Sequence, residues 1–313
     1  MYHWGIIGTG NIARRMMTSL SHSTLGKVVA VSSLTHPEVL KEEFPELKVY
    51  DDYYKLLEDE SIDIVYISTQ HIDHYKWAKE AILHKKSVLC EKPMSLSYKD
   101  TKEIIELSHQ NNIFLMEALK TPFVPLMEDI KKILENNEIG SIQRVETCFS
   151  YDIPYIEGKY LFDETQGGIL FDCGTYTIAS ILYYLKNNYK DLKVNTIKNY
   201  NVDVHDKIEV IYDDAIGYME LGMDQNMPKD LKIVGDKGTL TADVFYRPTK
   251  LEVNTKENYY TIEKPYIVDD FFGELEEVHH CLESKEIESK KMSHAYSLNI
   301  AKMMEEIKNK IKE

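Results

Sequence analysis

The sequence has few cysteines, a shortage of basic residues, and no long apolar run. Its four cysteines are scattered over 313 residues with no pair at redox or metal-site spacing, so we expect reduced thiols in a cytoplasmic protein. The net charge of −15 argues against a nucleic-acid partner and an anionic membrane surface, since both require a basic face. No run approaches the roughly 18 apolar residues of a membrane span, and no basic segment precedes an apolar stretch at the start. We therefore expect a protein that is neither exported nor embedded in a membrane.

The length is sufficient for two domains at about 100–200 residues each. A hydrophobic content of 43% and a charged content of 28% are typical of a globular protein. Because the pattern of the chain changes near residue 118, we predict one domain at 1–118 and a second at 119–313.

The first 118 residues alternate short β-branched runs with helical stretches. This alternation is typical of parallel strands joined by crossover helices. Residues 63–68 are apolar without alternation, which indicates a strand covered on both faces. We predict an α/β fold that begins with a doubly wound parallel sheet of the Rossmann type, with strands at 3–8, 27–32, 48–50, 63–68, 87–90 and 113–116.

The rest of the chain has a different pattern. Helical stretches near 124–136 and 168–186 flank a strand near 142–150, and consecutive strands follow from about 192 to 262. Strands joined by short turns pair antiparallel, so we predict an α+β domain with an open, mostly antiparallel sheet. The C-terminus is predicted to be helical, with one apolar stripe formed by Tyr296, Ile300, Met303, Ile307 and Ile311.

A glycine turn, Gly8-Thr9-Gly10, follows the first strand, and Asn11 and Ile12 then open a helical stretch. In this context the first glycine allows a tight turn and the second lets the backbone approach a pyrophosphate. The N–H groups at the start of the helix would face the phosphates. The turn therefore predicts a binding site for NAD or NADP.

The end of the second strand bears on the choice between the two cofactors. An acidic residue there would hold the ribose 2′-hydroxyl of NAD, and an arginine would suit the 2′-phosphate of NADP. The chain has Ser33 and Leu34 at this point, which we expect to lie beside the ribose. Neither residue decides between the cofactors.

Two further elements carry candidates for catalysis. Lys92 lies in Cys90-Glu91-Lys92-Pro93, after the fifth strand, where open α/β sheets bind ligands. Asp172 and Tyr176 are four residues apart and share one face of a predicted helix, with glycines nearby that indicate a close approach to the backbone. The structural alternatives are a surface turn ended by proline and a hydrogen-bonded pair on a core helix, which spacing alone does not exclude.

In their order and spacing these motifs resemble the glucose-fructose oxidoreductase and inositol dehydrogenase family (Gfo/Idh/MocA). The likeness runs over essentially the whole chain, and it is greatest to the dimeric dihydrodiol dehydrogenase and sugar dehydrogenase branch. That branch carries tyrosine where inositol dehydrogenases carry histidine. The matching segments are the Gly8 turn, 68–71 with His74, 88–93, 116–118, 167–176 and 235–238.

The resemblance implies an NAD(P)-dependent dehydrogenase or reductase acting on CH–OH groups of a polyol, sugar, sugar derivative or cyclic diol. It implies that Lys92 and Tyr176 are the catalytic pair, with Asp172 beside them. A tyrosine titrates near 10, and a lysine within about 4–6 Å together with the nicotinamide charge would lower that pKa. The resemblance also implies a homodimer or larger homo-oligomer. It places a further set of residues beside the cofactor: Thr69, Gln70, His71, His74, Glu91 and Glu117.

Some alternatives stay open at this point. Lys120 and Pro122 stand where dihydrodiol dehydrogenases carry tryptophan and arginine, so their substrate is not transferred to this chain. The rival functions are a non-catalytic dinucleotide sensor, which the retained Lys92 and Tyr176 disfavour, and a reductase of a C=N bond or an unsaturated pigment. No metal is expected, because His71 and His74 have no third ligand near them in sequence.

Overall fold

The computed structural model describes residues 1–35 and 37–312, which form two compact units. Unit 1 contains Met1–Pro122 and Ile267–Leu298, and unit 2 contains Phe123–Tyr266 and the residues from Asn299 onward. The first division lies four residues from the predicted boundary at 118, but the return of Ile267–Leu298 to unit 1 was not anticipated. No described helix is both long enough and apolar enough to cross a membrane.

Unit 1 contains a six-stranded sheet in the order β3-β2-β1-β4-β5-β6, with every neighbouring pair parallel. This is the strand order of doubly wound dinucleotide-binding sheets. The chain adds strands on one side of β1 up to β3 and then continues on the other side with β4, so the order switches between β1 and β4. Each predicted strand overlaps an observed one, which confirms the α/β prediction. The strands are β1 (Tyr2–Ile7), β2 (Gly26–Ser32), β3 (Lys48–Tyr50), β4 (Ile64–Ile67), β5 (Ser87–Glu91) and β6 (Leu115–Ala118).

Nine helices accompany the two sheets in the described part of the chain. The side chain of the N-cap residue itself caps two of them: Asp52 Oδ1 accepts from the N–H of Tyr54, and Ser97 Oγ accepts from the N–H of Asp100. The helices are α1 (Asn11–Leu20), α2 (Pro37–Glu43), α3 (Tyr53–Leu57), α4 (His71–Leu83), α5 (Tyr98–Asn111), α6 (Leu126–Glu135), α7 (Ile169–Leu185), α8 (Phe272–Glu283) and α9 (His294–Lys312).

The core of unit 1 lies between its sheet and its helices. All four residues of β4 are buried, as predicted for a strand covered on both faces. Trp77 and Ala78 of α4 pack with Val65 and Ile67 in one apolar cluster. This packing fixes the strand ends from which the loops of the candidate site emerge.

Unit 2 contains an eight-stranded sheet in the order β14-β13-β12-β11-β7-β10-β9-β8. Its pairs are antiparallel, as predicted, except that β7 and β10 run parallel. Helix α7 packs against β7, β9 and β10. The strands are β7 (Ile142–Ser150), β8 (Asp191–Asn199), β9 (Val202–Ile211), β10 (Ile216–Gly222), β11 (Leu231–Gly235), β12 (Gly238–Ala242), β13 (Lys250–Thr255) and β14 (Tyr259–Glu263).

Candidate functional site

The glycine turn joins β1 to α1 at the point where the strand order reverses. Gly8 has φ +86°, and a Cβ there would lie 2.6 Å from the Ser68 carbonyl oxygen, so this position requires glycine. Gly10 is the N-cap of α1 and makes no side-chain cap hydrogen bond. A Cβ at Gly10 would meet no atom of residues 1–35 or 37–312 within 4 Å. The start of α1 is therefore open to an anionic group, and it fits the pyrophosphate of a dinucleotide.

The end of β2 lies beside this turn, since the N–H of Gly8 donates to the Ser32 carbonyl at 3.2 Å. Ser33 is buried, with Oγ 3.4 Å from Thr35 Oγ1, whereas Leu34 is 58% exposed. The segment offers hydroxyl groups and an exposed apolar side chain, and no carboxylate. It accordingly has no local negative charge to repel a 2′-phosphate.

The segment after β4 contains the predicted residues Thr69 to His74. Gln70 is exposed at the N-terminus of α4, and His71 is buried with its ring 5.8 Å from that of His74. His74 is buried, and its two ring nitrogens lie 2.8 Å from the Pro93 carbonyl oxygen and 3.1 Å from the Thr69 carbonyl oxygen. Burial lowers the pKa of His74 below its ordinary value. The neutral ring donates to one of these carbonyl oxygens and lies in contact with the other, between two neighbouring loops.

Lys92 is held between two buried glutamates. Glu91 accepts a 2.5 Å hydrogen bond from the Tyr66 hydroxyl and a 3.2 Å bond from the Lys92 backbone N–H. Glu117, at the end of β6, accepts from the Met94 N–H at 2.9 Å. The Lys92 side chain is half-buried. The neighbouring strand ends therefore fix the backbone on both sides of the lysine.

Glu117 is a buried carboxyl group of this loop cluster, and its pKa is strongly raised. Burial raises its pKa to about 7, against smaller opposing effects from the Met94 N–H and the Lys92 charge. Its Oε2 atom is buried and has no hydrogen-bond partner among the described residues. A protonated Glu117 would have a donor at this position.

Lys120 does not supply a free cation in the described structure. It is 5% exposed, and its Nζ lies 2.5 Å from Asp270 Oδ2 and 4.5 Å from the centre of the Phe271 ring. Arg15 lies on the other side of Asp270, at 2.9 Å from Oδ1. Sequence reasoning missed this cluster because 150 positions separate Lys120 from Asp270. The residue that departs from the dihydrodiol dehydrogenase pattern is part of an internal ion pair of unit 1.

In unit 2, Asp172 and Tyr176 lie on α7, where the other residues from Ile169 to Leu182 are buried. The two are half-buried, as expected for side chains one turn apart on one face. Asp172 Oδ2 accepts hydrogen bonds from the Tyr151 hydroxyl and from Cys173 Sγ. Burial, followed by the Asp172 charge, raises the pKa of Tyr151 far above its usual range. Tyr151 thus stays protonated as a donor to Asp172.

The glycines before α7 are required by the protein's own packing. A Cβ at Gly167 would lie 2.5 Å from the Leu161 carbonyl oxygen. Gly168 has φ +92°, and a Cβ there would lie 2.1 Å from Asp203 Oδ1. The other oxygen of Asp203 accepts from the Leu170 N–H at 2.8 Å and so caps the helix. The expected close approach to the backbone is therefore real, and it comes from residues of unit 2 itself.

An aromatic cluster surrounds Tyr176. Its ring lies 5.9 Å from that of Phe149 and 5.1 Å from that of Tyr246, while Phe149 and Tyr246 stack at 4.6 Å. Arg247 lies 5.3 Å from the Tyr246 ring centre, and Lys229 lies 5.4 Å from that of Phe149. Sequence reasoning missed these neighbours, which come from β7 and the segments around β11 and β12. The cluster combines flat apolar surface with positive charge.

Fold and site together define a dinucleotide-binding oxidoreductase of two units. The chain belongs to the Gfo/Idh/MocA family. Residues 2–119 match the model described as "Oxidoreductase family, NAD-binding Rossmann fold", and residues 127–241 match the family's C-terminal domain. The protein is accordingly an NAD(P)-dependent oxidoreductase, which confirms the family, fold and cofactor predictions.

The chain is similar over its whole length to several characterised dehydrogenases. It is 28% identical to a trans-1,2-dihydrobenzene-1,2-diol dehydrogenase from Danio rerio, over 98% of this chain and 96% of the relative. It is 28% identical to the scyllo-inositol 2-dehydrogenase (NADP(+)) IolU from Bacillus subtilis, over 99% and 97% of the two chains. A D-xylose 1-dehydrogenase (NADP(+)) from Hypocrea jecorina is 27% identical over 97% and 90%.

Solved structures share the fold. A 3-ketoreductase from Actinomadura kijaniata superimposes with a TM-score of 0.88 over 98% of this chain and 97% of that chain, at 20% identity. An aldose-aldose oxidoreductase from Caulobacter crescentus gives a TM-score of 0.88 over 98% and 96%, at 18% identity. These likenesses establish that the overall fold is a known one.

Proposed function

We propose that the protein catalyses reversible hydride transfer between NAD(P) and a secondary hydroxyl or ketone of a sugar, sugar derivative or cyclic diol. The observation that carries this proposal is the pair of half-buried polar residues, Asp172 and Tyr176, on an otherwise buried stretch of α7. The names of the full-length relatives support the substrate class, since they act on a diol, an inositol and xylose.

Each residue has a separate proposed role. When bound, the nicotinamide supplies the hydride acceptor or donor. Tyr176 exchanges the proton of the substrate hydroxyl, and Lys92 provides positive charge that favours the ionised tyrosine. Asp172, oriented by Tyr151, accepts a hydrogen bond from the substrate and positions it. The aromatic cluster of Phe149, Tyr176 and Tyr246 offers a flat surface for a sugar or diol ring.

We further propose that NADP is preferred over NAD. The end of β2 has hydroxyl groups and no carboxylate, and the nearby Glu43 is already paired with Arg14 through two hydrogen bonds of 2.8 Å and 2.5 Å. A 2′-phosphate would therefore meet little local negative charge. Two of the relatives carry NADP(+) in their names.

The proposed cofactor residues fall into three groups. Gly8, Thr9, Gly10, Asn11 and Ile12 form the turn that takes the pyrophosphate. Ser33 and Leu34 lie beside the ribose. The remaining residues set the loops around the nicotinamide: Thr69, Gln70, His71, His74, Glu91, Lys92 and Glu117.

The assembly is proposed to be a homodimer or larger homo-oligomer in the cytoplasm. Ile197 of β8, Ile216 of β10 and Tyr259 of β14 leave apolar side chains exposed on the large sheet, which a second copy could cover. The four cysteines are free thiols, as expected in a reducing compartment. Light scattering coupled to size-exclusion chromatography tests the dimer.

A substrate screen tests the proposed activity. NADPH and NADH formation would be followed spectroscopically with trans-1,2-dihydrobenzene-1,2-diol, scyllo-inositol and D-xylose. Consumption of the reduced cofactors would be followed with the ketone of scyllo-inositol. We expect turnover with at least one class and a higher kcat/KM with NADP. Tight dinucleotide binding without turnover of any substrate would contradict the proposal and favour a sensor.

A further inference from the structure

A cluster of two histidines and one glutamate lies in unit 1, away from the proposed catalytic residues in sequence. It consists of His109 in the last turn of α5, Glu288 in the segment after α8, and His294 at the start of α9. One side-chain nitrogen or oxygen from each residue lies within 4.8 Å of the other two. His109 and His294 are 185 positions apart, so no sequence motif indicated the cluster.

The His294 ring is oriented like that of a metal ligand. It is buried, and its Nε2 lies 2.9 Å from the Leu115 carbonyl oxygen, to which the N–H donates. This bond fixes the tautomer, so that Nδ1 carries the lone pair and faces the other two residues. A backbone carbonyl that receives the second ring N–H is the usual partner of a metal-binding histidine.

The three residues are held in place by the backbone around them. The Leu115 N–H donates to the Ile287 carbonyl at 3.0 Å, which pairs the segment before Glu288 with the start of β6. Glu288 Oε2 accepts from the backbone N–H of His294 at 2.6 Å. The end of α5 and the starts of β6 and α9 therefore meet at one point, where these hydrogen bonds connect them.

The separations of the ligand atoms suit a small tetrahedral ion. His109 Nε2 lies 3.1 Å from His294 Nδ1, and Glu288 Oε2 lies 3.9 Å from the same nitrogen. Bonds of about 2.0–2.1 Å in a tetrahedral zinc site place neighbouring ligand atoms about 3.3 Å apart. Movement of the Glu288 and His109 side chains toward these separations would complete three of the four positions. Since His109 is exposed, water can reach the fourth.

We propose that His109, Glu288 and His294 bind one divalent transition-metal ion of the zinc class. Two imidazoles and a carboxylate suit Zn²⁺, whereas Mg²⁺ and Ca²⁺ favour sites made of oxygen ligands. The ion would link the end of α5 to the start of α9 and so stabilise unit 1. This role is independent of hydride transfer.

The test uses the full-length chain without an affinity tag, freed of metal by a chelator. Zn²⁺ binding would be measured by competition with a chromophoric chelator, and Co²⁺ would report four-coordinate geometry through its visible absorption. The variants are His109→Gln and Glu288→Gln. Glutamine at 288 keeps an oxygen that accepts from the backbone N–H of His294. The exposed His22 in the same unit provides the matched control, His22→Gln.

We expect wild type and His22→Gln to bind one Zn²⁺ and to gain in Tm on binding. Second-shell changes weaken metal sites by about 10–100-fold, so loss of a direct ligand in either test variant should weaken binding by about 100-fold or more. The proposal is overturned if wild type binds no Zn²⁺ in the micromolar range, or if both test variants bind as tightly as His22→Gln.

Discussion

The glycine turns that precede α1 and α7 look alike in sequence and differ in what occupies the helix start. Before α1, no described residue fills the space in front of Gly10, and none of their side chains caps the helix. Before α7, the Asp203 carboxylate already lies against Gly168 and accepts from the helix N–H groups. A glycine before a helix thus marks a close approach of an acceptor or anion, and only the structure tells whether that group is a ligand or part of the protein.

The largest expected effect is on turnover, and it comes from the proposed proton-transfer residue, Tyr176 on α7, and from Lys92. Tyr176→Phe and Lys92→Ala should each lower turnover by about 100-fold or more, since general acid–base catalysis contributes about 10²–10⁴-fold. Dinucleotide affinity, which depends on the α1 turn, should stay nearly unchanged. Steady-state kinetics measure turnover, and fluorescence titration with NADPH measures dinucleotide affinity. Wild-type turnover in both variants would exclude the proposed roles of Tyr176 and Lys92.

The buried ion pair of unit 1 comes next. Lys120→Met should cost about 3 kcal/mol of unfolding free energy, because Asp270 keeps its buried charge after losing the Lys120 partner. Lys55→Met, which breaks the exposed pair with Asp51, is the control and should change the unfolding free energy far less, because solvent screens that pair. Urea unfolding measures both. Equal losses would mean that burial does not distinguish the two pairs.

The two glycine turns can be compared directly by substitution. Gly10→Val should weaken dinucleotide binding by about 50-fold while leaving Tm unchanged, because the space that valine fills is open in the protein and its backbone is extended. Gly168→Ala should instead lower stability by about 2 kcal/mol, because a Cβ meets Asp203 at positive φ. Titration calorimetry measures dinucleotide binding, and thermal unfolding measures the stability of both variants. A loss of stability in Gly10→Val would break the contrast.

The smallest effect is the pH dependence that Glu117 introduces. Its pKa is raised from 4.5 to about 7 in the folded protein, so the neutral form is favoured and its stabilising contribution is lost as pH rises through 7. Unfolding free energy should fall by about 2 kcal/mol between pH 5 and pH 8 on account of this group. Glu117→Gln should remove that slope. Parallel urea titrations at several pH values measure it, and identical slopes in the two proteins would exclude the assignment.

Much of the fold could be predicted because local patterns determine it. The apolar run at 63–68 identified β4, and the four-residue spacing of Asp172 and Tyr176 put both on one face of α7. The features that escaped prediction depend on contacts between distant segments. They include the pairing of Lys120 with Asp270, the cap that Asp203 gives α7, and the parallel pairing of β7 with β10.

The central claim is that Lys92 and Tyr176 serve one proton-transfer step of hydride transfer. Single-turnover NADPH oxidation by Lys92→Ala, Tyr176→Phe and the double variant, with the substrate found in the screen, tests it most directly. Residues that act as a unit are strongly non-additive, so the double variant should be no more than a few-fold slower than the slower single variant. Multiplied losses in the double variant, or wild-type rates in either single variant, would contradict the claim.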